Sequence, residues 1–162
     1  MNIGSANQTN PPAQTATAEP ELSITEAQAD LIARFQVLED WMERYQYIID
    51  LGRKLPSFPD EWCIEDNRLH GCQSQVWLRA EKRGNRLHFD ATSDAAIVLG
   101  LIAILLRIYG DRRPEEILST RPDFIKEIGL DSHLSATRSN GLHSMLKALF
   151  GYAQNAVLET SG

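Results

Sequence analysis

The chain is poor in cysteine: only Cys63 and Cys72 occur in 162 residues. Two thiols are too few for the disulfide framework of a small secreted domain and too few for a four-thiolate metal site. A reducing, cytoplasmic setting is the expectation. The chain also lacks positive charge, with 16 basic against 22 acidic residues and a net charge of -6. It therefore offers no basic footprint for phosphates, and nucleic acid is not an expected partner. No long hydrophobic run is present, since the longest is the twelve residues from Ala95 to Leu106. A bilayer needs roughly 18 to 20, so no membrane span is expected and this run reads as a buried helix. Lys and Arg are missing up to Pro20, which argues against a secretory signal or an Arg-rich transit peptide.

Large apolar side chains are almost absent before Glu21, so residues 1–24 are expected to form a disordered tail. The remainder, 25–158, is long enough for one core. Thr25-Glu26-Ala27-Gln28 has the form of a capping box, followed by Leu31, Ile32, Phe35 and Leu38 on one helical face. Asp40 offers a second N-cap before Met42, Tyr45, Ile48 and Ile49, with Gly52 as the stop. Pro56 and Pro59 make Lys54 to Trp62 a loop.

Between Gln75 and Ala91 the apolar period becomes two, with Val76, Leu78 and Ala80 answered by Leu87, Phe89 and Ala91 across Arg83-Gly84-Asn85. That pattern predicts an antiparallel hairpin, with a short strand at Asn67 to Leu69 beside it. Helical spacing then returns: an N-cap at Thr92 or Ser93, Asp94 in the first turn, the apolar run, and Gly110 past the end. Pro114 and Pro122 each open a short helical segment, Gly129 stops the second, and Ser135 or Ser139 precedes a last helix using Leu142, Met145, Leu146, Leu149 and Phe150. The order predicts an α+β fold: a small antiparallel sheet of about three strands packed with helices.

Phosphate-cradling loops, serine nucleophile elbows and paired-carboxylate signatures are all missing. Neither C-x-x-C nor H-x-x-x-H occurs, so Cys63, Cys72, His70 and His88 do not suggest a metal site. Cys72 stands in Leu69-His70-Gly71-Cys72-Gln73-Ser74-Gln75, where Gly71 permits a sharp turn and small or amide residues supply donors. These residues alone leave Cys72 open between a reactive thiol and a buried structural one. Cys63, between Trp62 and Ile64, reads as packing. His70 lies two residues from Cys72; in an extended segment both side chains share one side, and the imidazole could take the thiol proton. The plainer alternative is a loop residue without a role. Arg138 stands beside a helix N-terminus, the unfavourable end for a cation, so it is either a surface arginine or a donor aimed at the cysteine loop or a partner carboxylate. His133 and His143 have no partner identifiable from the sequence.

Three separated blocks, His70 to Trp77, Ser93 to Val98 and Ser139 to Leu142, closely resemble the SufE family, as do Trp41 to Gly52 and Leu55-Pro56. The resemblance spans about residues 28 to 155. It implies a SufE/IscU-like fold and makes Cys72 the sulfur acceptor. A SufS-type cysteine desulfurase would supply the sulfur, the SufBCD scaffold would receive it, and the PLP cofactor would belong to the desulfurase, leaving this chain with none of its own. It places Asp94 and Arg138 near the acceptor loop and docking surface, with His70, Gly71, Gln73 and Ser74 in the loop itself. IscU scaffolds use three cysteines, so two favour a carrier. The rival expectations are a carrier for a CsdA-type desulfurase, a thiol hydrolase using Cys72 and His70, and an interaction module in which Cys72 only packs.

Overall fold

A computed structural model describes residues 22–160, and the expected tail falls almost wholly outside them. Helix α1 (Ile24–Gln36) buries Ile24, Ala27, Leu31 and Phe35 along one stripe. It starts earlier than the Thr25 box predicts: Ser23 accepts from the Glu26 N–H, and Glu26 reaches back to the Ser23 N–H. The reason is Ile24, only 6% exposed, whose burial continues the apolar stripe one turn further. Gln28 instead donates to the Arg121 carbonyl at 3.2 Å.

Asp40 caps helix α2 (Trp41–Arg53), accepting from the Glu43 N–H at 2.9 Å. Met42, expected on the apolar face, is 81% exposed, and Trp41 packs inward in its place. Gly52 is no helix stop. A β-carbon there would lie 2.6 Å from the Gly100 nitrogen, so the glycine lets α2 cross helix α3 (Ala96–Tyr109) backbone to backbone. A β-carbon at Gly100 would stand 2.1 Å from the Ile48 carbonyl oxygen. Helix α3 is the core of the domain, with nine of its fourteen residues buried.

Strands β1 (Val76–Arg83) and β2 (Arg86–Ser93) form the expected antiparallel hairpin around Gly84-Asn85, where Gly84 has φ +61°. Val76, Leu78, Leu87, Phe89 and Ala91 are buried beneath helices, which is the α+β arrangement expected. The third strand shrinks to one bridge between Arg68 and Trp77, with the Leu69 N–H donating to the Val76 carbonyl at 2.9 Å. A 3-10 turn over Glu65–Asn67 precedes it and a left-handed Gly71 follows, leaving no extended run to pair.

Short helices α4 (Pro114–Ser119), α5 (Phe124–Ile128) and α6 (Leu130–His133) lead to the long α7 (Ala136–Thr160). Gly129, at φ +91°, separates α5 from α6. Arg112, 3% exposed, donates to the carbonyls of Ile108 at 3.1 Å and Leu22 at 2.6 Å, tying the start of the described chain to the end of α3. Among the described residues no helix is long and apolar enough to cross a membrane.

Candidate functional site

The chain leaves the Arg68–Trp77 bridge through the loop from Leu69 to Gln75. Gly71 sits in it at φ +95°, a backbone state that an L side chain adopts only with strain. A β-carbon on Gly71 would also come within 3.0 Å of the Ser144 hydroxyl on α7. This turn aims Cys72 at the first turns of α7. Its Sγ lies 3.8 Å from the Gly141 carbonyl oxygen, a long thiol contact.

The thiol is half-buried over a cavity of about 20 Å³ whose walls include Ser74, Val98, Leu101, Thr137, Gly141 and Met145. That volume holds about one water-sized group. With no cation or histidine hydrogen-bonded to it among the described residues, burial pushes the Cys72 thiol above its usual pKa. The resting group is therefore a protonated thiol, shielded on one side and reachable on the other.

The far end of the loop is held by Asp94. Its carboxylate accepts the Gln75 N–H at 3.1 Å, and its own N–H donates to the Gln75 carbonyl at 3.4 Å. The expectation that Asp94 sits in the first turn of α3 is corrected by this geometry: Ala95 is the N-cap, without a side-chain cap, because the Asp94 carboxylate serves the cysteine loop instead. The Ser93 hydroxyl accepts the Ala95 N–H at 3.3 Å.

Arg138 does come to the cavity. Helix α7 starts at Ala136, with the Ser135 hydroxyl accepting the Arg138 N–H at 3.3 Å, so Ser135 rather than Ser139 opens it. Arg138 lies in the first turn, lining the Cys72 cavity beside Gln73 and Ser74, and its guanidinium has no ion pair among the described residues. Its side chain is exposed at the rim of the cavity.

His70 is not brought to Cys72. Its Nε2 lies 2.8 Å from the Glu65 carboxylate, and the side chain is exposed. The extended geometry that would have aligned the two fails because Gly71 turns the chain between them. His88 is engaged elsewhere, with Nδ1 at 2.7 Å from Asp111 and Nε2 at 3.4 Å from Asp90, beside a groove of about 340 Å³ that shares no residue with the Cys72 cavity. Cys63 is half-buried and free, at the end of a 3-10 turn over Asp60–Trp62. Among the described residues no cluster of three or more His, Cys, Asp or Glu is placed to hold a metal.

Sequence reasoning put Met145 on the apolar face of the last helix and Gly141 in a family block, but did not bring Thr137, Gly141 and Met145, one stripe of α7, to the wall of the Cys72 cavity. Their i, i+4, i+8 spacing was available in the sequence, and so was the oddity of a glycine inside a helix, where it costs about 1 kcal/mol against alanine. What they faced was not.

Comparison with known proteins gives the family and the fold. Residues 29–153 match the family described as SufE, Fe-S metabolism associated domain. An uncharacterised SufE-like protein of Rhizobium meliloti is 40% identical over 129 residues, covering 76% of this chain and 92% of its own. Another, of Rhizobium etli, is 40% identical over 124 residues, covering 74% and 84%. The solution structure of a hypothetical protein from Thermus thermophilus has the same fold, with a TM-score of 0.68 at 22% identity over 82% of this chain and 96% of that one. A match over most of the domain, with two relatives of that name at this identity, makes the chain a member of the SufE family of iron–sulfur metabolism.

Proposed function

We propose that the chain is a sulfur acceptor in which Cys72 takes a sulfane sulfur from the persulfide of a SufS-type cysteine desulfurase and passes it to a SufBCD-type scaffold. The observation that carries the reading is the setting of Cys72: a thiol at a glycine turn, over a cavity with room for about one more atom of its size.

The step is thiol exchange without net redox change. The Cys72 thiolate attacks the outer sulfur of the donor persulfide, the donor S–S bond breaks, and the donor thiolate leaves with the electron pair. A new S–S bond now joins Cys72 to the transferred sulfur. Removing the donor's product in this way stimulates the desulfurase. The PLP that generates the donor persulfide belongs to the desulfurase.

A buried, protonated thiol is a slow nucleophile, because the thiolate is the attacking form. The loop from Leu69 to Ser74 therefore swings outward on docking, where solvent and the Arg138 cation lower the barrier to ionisation. Protection from adventitious reductants returns when it closes. Hydrogen exchange of the loop, with and without desulfurase, tests this motion, and unchanged protection refutes it.

The deciding experiment is mass spectrometry after incubation with desulfurase and cysteine. One added sulfur, about 32 Da, is expected on Cys72 and removed by reductant. The Cys72→Ser protein should neither gain the adduct nor stimulate the enzyme, while Cys63→Ser should do both. An adduct on Cys63 instead, or none at all, overturns the assignment.

A further inference from the structure

We propose that Trp41, Tyr45 and His133 form a clamp that sets the first turns of α7 against Cys72, which makes them positioning residues for the acceptor thiol. The functional consequence rests on the acceptor reading above; the geometry does not.

Three contacts join at His133, the last residue of α6. Its imidazole stacks on the Trp41 indole with ring centroids 3.9 Å apart and planes 13° from parallel. Its Nδ1 lies 2.9 Å from the Gly129 carbonyl oxygen, and the Tyr45 hydroxyl donates to its own carbonyl. Trp41 also presses on Gly129, where a β-carbon would meet the indole at 3.2 Å. Two residues of α2 thus hold both the ring and the backbone of His133.

Only Leu134 and Ser135 separate His133 from α7, and Ser135 is the cap of that helix. Thr137, Arg138 and Gly141, in its first two turns, form the cavity wall that Cys72 faces. An aromatic stack fixed at the α6 end therefore determines where that wall stands. Trp41 and Tyr45 pack on the core from their inner side, while the exposed His133 ring lies on the indole and so joins that anchored pair to the chain that enters α7. Its place at the joint leading to the acceptor wall is what gives it a use.

The test is site-resolved alkylation of the folded protein by iodoacetamide, with Cys72 and Cys63 quantified in the same digest. Cys63 stands in a different loop and reports general loosening. Trp41→Ala and Tyr45→Phe should each raise the Cys72 rate about two- to tenfold, the range that one lost aromatic or hydrogen-bond contact supplies, with the Cys63 rate unchanged. Trp41→Phe, which retains a stacking face, should stay near the parent rate. An unchanged Cys72 rate in the folded variants overturns the proposal, and so does an equal rise at both cysteines, which would mean ordinary destabilisation. If Trp41→Ala does not fold, the one-atom change Tyr45→Phe decides. Absence of a sulfur adduct from desulfurase would sink the acceptor reading while leaving these rates to judge the clamp.

Discussion

Replacing Gly71 by alanine tests the claim that one backbone turn holds the Cys72 loop closed. At φ +95° an alanine is strained by about 1–2 kcal/mol relative to glycine. The new β-carbon also meets the Ser144 hydroxyl at 3.0 Å, a contact that rotation of the serine relieves. The backbone strain is therefore the larger effect. Applied to the closed loop alone, it multiplies the open population about 5- to 30-fold. The alkylation rate of Cys72 in the folded protein should rise by that factor, since label reaches the sulfur through the open state. Gly84→Ala is the matched control: φ is +61° in the hairpin turn, and nothing lies within 4 Å of the added carbon. It should lower global stability by a similar amount and leave the Cys72 rate alone. Gly71→Ala should lower global stability by a similar amount, because the closed loop remains the ground state and carries the strain. Equal Cys72 rates in the two variants, or no increase over the parent, would refute the reasoning.

Gly100→Ala should destabilise the domain by about 2 kcal/mol or more despite the gain in helix propensity, because its β-carbon would stand 2.1 Å from the Ile48 oxygen and force α2 away from α3. An unchanged urea midpoint would show that the crossing is looser than described. Asp94→Ala removes the acceptor for the Gln75 N–H and should speed Cys72 alkylation about two- to tenfold, the worth of one partly exposed hydrogen bond, with little change in thermal midpoint. Burial raises the Cys72 pKa, so its alkylation should rise with pH through a midpoint above the free-cysteine value of about 8.5. In stability terms the thiol's contribution is complete below the unfolded pKa and is lost as pH climbs through the folded one. Cys72→Ser should accordingly flatten the alkaline loss of stability, and a reactivity midpoint at or below the free value would contradict the burial argument.

Much of the fold was legible because it rests on local periodicity. The hairpin, the break before Asp40, the buried run of α3 and the proline-led start of α4 all follow from side-chain spacing and backbone restriction, whereas Pro122 lies outside α5, before its N-cap Asp123. Errors clustered where a residue had a second use. Gly52 looks like a helix stop but is a crossing point, and its partner Gly100 is 48 residues away in the chain. Asp94 looks like a first-turn acid but binds the cysteine loop, 19 residues earlier. Met42 fits the apolar stripe of α2, yet the adjoining Trp41 takes the inward place by packing against the core.

Sequence alone singled out Cys72, beside a glycine and followed by small polar residues, as the candidate thiol and read Cys63 as packing, with Cys72 open between a reactive and a structural role. Tertiary structure alone decided what surrounds the sulfur. It turned His70 away to Glu65, brought Gly141 and Arg138 to the cavity from nearly seventy residues along the chain, and raised the thiol pKa by burial. Composition and period are properties of neighbours in the chain, whereas reactivity depends on neighbours in space. Those are chosen by the packing of α3 and α7 against the sheet.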